Sequence, residues 1–67
     1  MSLVKVIEVL AQSETSYEDA VQQAVTEASI TVRNIQSVYV KEFQAVVEND
    51  KITAYRVTAK ISFLVER

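Results

Sequence analysis

From Ile52 to Val65 the chain alternates almost without a break, with Thr53, Tyr55, Val57, Ala59, Ile61, Phe63 and Val65 on one face. Ala54, Arg56, Thr58, Lys60 and Ser62 fall on the other. A period of two over this length is a β-strand, because successive side chains of an extended chain point to opposite sides. At the ordinary rise such a strand spans roughly 45 Å, whereas the one strongly periodic helix, Ser16 to about Arg33, spans about 27 Å. One helix cannot cover that sheet. The uncovered apolar strand ends imply further copies of the chain, with function residing in the assembly.

Size leads to the same expectation. With 67 residues the chain is a single domain, 1–67, near the length at which one hydrophobic core barely offsets chain entropy. It has no Cys and no His, so neither disulfides nor a His/Cys metal site supplies the missing stability, and oligomerisation remains. A net charge of −2 gives no basic footprint for nucleic acid. The apolar run Leu3–Leu10 is broken by Lys5 and Glu8 and is far shorter than the ~20 residues of a membrane span. It also lacks a signal-peptide cleavage pattern. These features point to a cytoplasmic protein with neither nucleic acid nor membrane as partner.

Three further elements precede the long strand. Leu3 to about Ala11 reads as a strand with apolar residues on both faces, which predicts burial on both sides. The polar cluster Gln12 to Ser16 then leads into the helix, with Ser16 and Asp19, or Thr15 and Glu18, as candidate capping boxes; Ser16 is the better N-cap. Tyr17, Ala20, Val21, Ala24, Val25, Ala28 and Val32 recur at helical spacing, and three small alanines let the helix approach a sheet closely. Acidic residues sit at the helix start and Arg33 at its end, as the helix dipole favours, and Asn34 is a plausible stop. Ile35 to Val47 forms the next strand, with Val38 and Val40 on one side and Ser37, Tyr39 and Lys41 on the other. Its alternation stumbles near Lys41-Glu42-Phe43, which suggests a bulge, and Glu48 to Lys51 makes a hairpin turn.

Catalysis has little support. Serine nucleophiles need a base and an oxyanion hole, and the chain has neither a His nor a Gly-rich elbow. Glu48, Asn49 and Asp50 carry oxygens but lack the spacing and turn glycine of an EF-hand, so they read as a solvated turn; the presence of a metal is left open. The sheet face opposite the helix is more informative. Ser37 and Tyr39, with Arg56, Thr58 and Lys60, form a mixed surface that is either solvated or, in an assembly, a ligand cleft where a phenol ring and a guanidinium stack on a planar group or bind an anion.

At this point the chain resembles the dodecins. The likeness spans nearly the whole sequence: Lys5-Val6-Ile7-Glu8, the run Ser13 to Ala20, Ala24 and Ala28, and the closing Tyr55 to Phe63. The resemblance implies an α+β fold of order β-α-β-β, in which a three-stranded antiparallel sheet wraps one helix and the subunits form a hollow homododecamer. It also implies a non-enzymatic role, since many members hold flavins in pairs between subunits for storage or sequestration.

The ligand residues differ from the pattern of flavin-binding members. Ser37 stands where those proteins carry a Trp that stacks on the isoalloxazine, and Arg56 where a Gln hydrogen-bonds the flavin edge. Tyr39 matches a position that does not usually stack, and Ala11 replaces a glycine after the first strand. Stacking of a planar ring on an aromatic side chain is worth about 1–3 kcal/mol, and arginine donates but does not accept. The resemblance therefore implies a shell that binds a small planar or anionic ligand at Ser37, Tyr39 and Arg56, with flavin binding weakened or lost. The alternative is a purely structural or ion-handling shell.

Overall fold

The computed structural model describes residues 2–66. The elements run β1 (Ser2–Ser13), α1 (Tyr17–Thr31), β2 (Ile35–Glu48) and β3 (Lys51–Glu66). All pairings are antiparallel, and the spatial order β1-β3-β2 places the longest strand at the centre. Its odd residues face the helix: Val57, Ala59 and Ile61 are fully buried. They meet Ala24 and Ala28 of α1, with Ile7 and Val9 of β1 and Val38 of β2 closing the sides. Alanines on the helix bring its axis close to the sheet, so the core is thin and its bulk comes from the strands.

The length mismatch expected from the sequence is present. A 15-residue helix covers about 22 Å, whereas the molecule is 52 Å long. The expected burial of β1 on both faces is not achieved within one subunit. Leu3, Val4, Val6 and Leu10 remain at least half exposed, because only Ile7, Val9 and Ala11 reach the helix-side core. Ala54, on the polar face by alternation, is nevertheless buried.

β1 pairs with β3 in unbroken register from Ser2↔Glu66 to Ser13↔Tyr55, two residues beyond the Ala11 end expected from sequence. β2 is irregular. Gln36 and Lys41 are extra residues on β2, and Thr53 is extra on β3, so the bulge sensed near Lys41 is one of three register shifts. Each extra residue raises local twist and re-aims the strand, which bends the long hairpin around the helix. The hairpin closes through Asn49 and Asp50, both at positive φ, the signature of a type I′ two-residue turn whose twist suits the flanking strands.

Ser16 is the N-cap, its Oγ accepting from the Asp19 N–H at 3.0 Å. The reciprocal half of the expected capping box is diverted. Asp19 accepts from the Ser13 hydroxyl at 2.6 Å, and Ser13 Oγ in turn accepts from the Thr15 N–H at 2.9 Å and the Ser16 N–H at 3.4 Å. Ser13 is thus the buried hub of the strand-to-helix turn. At the other end the helix stops at Thr31, with Val32 as an extended C-cap whose N–H reaches the Ala28 carbonyl. Arg33 therefore lies beyond the last turn rather than in it. Asn34 does adopt the left-handed conformation, φ 61°, but two residues after the cap, where its carbonyl accepts from the Leu64 N–H and pins the crossover to β3.

Candidate functional site

The sheet face turned away from α1 carries every residue marked from the sequence. Ser37 pairs with Ser62, and their hydroxyls hydrogen-bond across the strands. Tyr39, 65% exposed, sits opposite Lys60. Beside them Lys41 reaches back to Glu8 of β1 at 3.8 Å, with both side chains about half exposed. This ion pair is the only one among the described residues, and its exposure limits it to a small stabilisation.

Arg56 is elsewhere on that face. Its register position is six residues along β3 from Ser62, so the backbone separates it from Ser37 by about 20 Å. The structure brings Ser37 and Tyr39 together and leaves Arg56 apart.

Arg56 belongs to a polar rung that crosses the whole sheet, Gln12 on β1 and Gln44 on β2 being its two cross-strand partners. Its Nε and Nη2 donate to the same Gln12 Oε1, at 3.1 and 2.7 Å. The amide positions the guanidinium without cancelling its charge. Sequence reading misses both glutamines: Gln12 falls in the turn when β1 ends at Ala11, and Gln44 faces Arg56 only because the extra residue Thr53 on β3 shifts the hairpin register by one. The next rung holds Leu10, Thr58 and Glu42.

Two other features lie off this face or at its margin. Tyr17 packs edge-on against Phe43 and Tyr55, with ring centroids 5.2 and 5.0 Å apart, an arrangement that ties the helix start to the hairpin. One concavity, about 660 Å³, opens at the helix C-terminus and is lined by Val25, Ile30, Arg33 and Ile35, none of them a marked residue. A smaller one, about 300 Å³, borders Glu42, Phe43 and Gln44. Among the described residues no three His, Cys, Asp or Glu side chains gather as metal ligands, and no helix is long and apolar enough to cross a membrane.

Comparison with known proteins bears on the whole fold. No curated protein sequence matches the chain. Among solved structures it is similar to a mutant of the T. thermophilus dodecin, with 27% identity, a TM-score of 0.93 and complete coverage of both chains. It is similar also to the dodecin from Streptomyces coelicolor, at 29% identity and a TM-score of 0.93 over 98% of this chain and 94% of that one. The calcium dodecin of Mycobacterium tuberculosis, described as a calcium-chelating antigen with a novel calcium-binding site, is 33% identical with a TM-score of 0.82, over 91% of this chain and 87% of that one. The family model for dodecin matches residues 3–66, the extent of the three-stranded sheet and its helix, and the chain belongs to the dodecin family.

Proposed function

We propose that this chain is the subunit of a hollow homododecamer that sequesters a small planar or anionic ligand between subunits without turning it over, and that its affinity for flavin is weakened or lost. The observation that carries the assembly is the unpartnered apolar surface on the face away from the helix, where Val4, Val6, Leu10 and Tyr39 are each more than half exposed. Exposed apolar area of this kind marks an interaction surface, and a chain this short needs the burial. The loss of flavin chemistry rests on Ser37, which presents a hydroxyl already paired with Ser62 instead of a ring face. Arg56 adds a charge where a neutral edge is to be met. A shell of this kind needs no catalytic group, and a cytoplasmic location suits it.

The test is a titration of riboflavin and FMN, followed by quenching of flavin fluorescence, against wild type and the double variant Ser37→Trp, Arg56→Gln. Weak or no binding by the wild type and a clear gain in the variant is the expected result. Tight riboflavin binding by the wild type overturns the lost-chemistry reading. An ion-handling shell is the second reading, favoured by the likeness to a dodecin described as binding calcium. It predicts calcium uptake by equilibrium dialysis with no organic ligand released on denaturation.

A further inference from the structure

We infer that the Gln12–Arg56–Gln44 rung is an oxyanion site, complete within one subunit and separate from the Ser37 and Tyr39 end of the face. This inference rests on the reading of that face as ligand-bearing, and it names the chemistry that one part of it selects. Three observations support it. Arg56 spends Nε and one Nη2 contact on a single neutral acceptor, Gln12 Oε1, so the Nη1 donors and the second Nη2 donor stay free. No carboxylate among the described residues lies within ion-pair distance of the guanidinium. Gln44, its partner on the other side, borders a concavity of about 300 Å³.

The donor set fixes the ligand class. Gln12 has committed its carbonyl to Arg56 and keeps its amide NH2, Gln44 offers another NH2, and the guanidinium supplies a planar fork between them. A fork of charged donors flanked by neutral amide donors matches two oxygens of a carboxylate or a phosphate. Metal cations are excluded by the central positive charge. A neutral ring edge would leave the same charge unpaired when a second subunit closes over it. One group opposes the site: Glu42 lies one rung away on β2 and borders the same concavity, and its carboxylate repels an incoming anion. That opposition provides a sign test.

The experiment is a calorimetric titration of inorganic phosphate, and separately of acetate, into the purified protein at constant ionic strength, with the assembly state of every variant checked by light scattering. Saturable binding of at least one anion by the wild type is expected, and phosphate against acetate separates a phosphate-bearing from a carboxylate ligand. Arg56→Gln should weaken it at least about tenfold, the loss carried by one charge-assisted hydrogen bond. Arg56→Lys, which keeps the charge and loses the fork, should fall between the two. Glu42→Gln should tighten binding, and Arg33→Gln, beyond the end of the helix and off this face, should leave it unchanged. If Arg56→Gln does not fold, Gln12→Leu replaces it and should also weaken binding. No saturable binding by folded wild type, or equal binding by Arg56→Gln, overturns the site. A monomer that binds phosphate would refute the shell and keep the rung, whereas a shell that binds flavin tightly and no phosphate would refute the rung and the loss of flavin chemistry together.

Discussion

Replacing Ile61 by alanine tests whether the thin core works as described. Ile61 is fully buried at the centre of the middle strand, flanked across the sheet by Ile7 and Val38 and covered from above by Ala24 and Ala28. The substitution deletes three carbons, a transfer loss of about 2.4 kcal/mol at ~0.8 kcal/mol per buried group. A cavity term is added to this loss. The alanines above have no side-chain atoms to swing into the void, and the strands at either side are held by ladder hydrogen bonds, so little collapse is available. The change should therefore fall in the upper half of the range for large-to-small core substitutions, about 4 kcal/mol. That is a large fraction of the ~3–10 kcal/mol expected for a chain of this length. The assay is guanidinium unfolding at several fixed protomer concentrations, since assembly makes apparent stability concentration-dependent. Ile61→Val, which shortens the side chain by one carbon, should cost about 0.5–1.5 kcal/mol in the same assay. A loss below about 1 kcal/mol for Ile61→Ala would refute the argument that an alanine-lined core cannot relax.

Other perturbations probe the ends of the elements and the assembly. Ser16→Ala should destabilise by about 0.5–2 kcal/mol and Thr15→Ala by less, measured by thermal unfolding; the reverse order would move the cap. Hydrogen bonds donated by Ser13 and then Gln23 hold the Asp19 carboxyl below its ordinary value. A depressed folded-state value means that the contribution is present above the unfolded value and is lost as pH falls through the folded one, so acid titration of unfolding should show a loss below about pH 4 that Ser13→Ala diminishes. Asp50→Gly should raise stability, because Asp50 at φ 62° pays a left-handed penalty that glycine avoids, whereas Asp50→Val should lower it. Phe63 is only half-buried in the subunit, so Phe63→Ala should shift the protein concentration needed for assembly, read by native mass measurement, more than an equally exposed site outside an interface would.

The likeness of each segment to its final form depended on how local its cause is. Alternation in β3, the alanine stripe of α1 and the Ser16 cap were legible because each follows from spacing within a few residues. The pairing of Val38 and Val40 with the core was legible for the same reason. Local pattern could not give the reciprocal hydrogen bond of Asp19. Ser13 donates to that carboxylate while its Oγ accepts from the Thr15 and Ser16 N–H groups, and this arrangement depends on where β1 ends. β1 itself ends two residues later than its apolar run, because Gln12 and Ser13 continue the ladder through Arg56 and Tyr55.

By itself, therefore, the sequence determined the order of elements, the faces of each, the absence of any Cys or His chemistry and the mismatch of strand and helix lengths from which assembly is expected. Only the tertiary structure decided which residues stand side by side. Register is a long-range property, shifted by single extra residues at Gln36, Lys41 and Thr53, of which only Lys41 leaves a mark on the alternation. Register separates Ser37 from Arg56 by about 20 Å along one face, although both are read from the sequence as one ligand site. It also places Gln12 and Gln44 on either side of a guanidinium that neither adjoins in the chain.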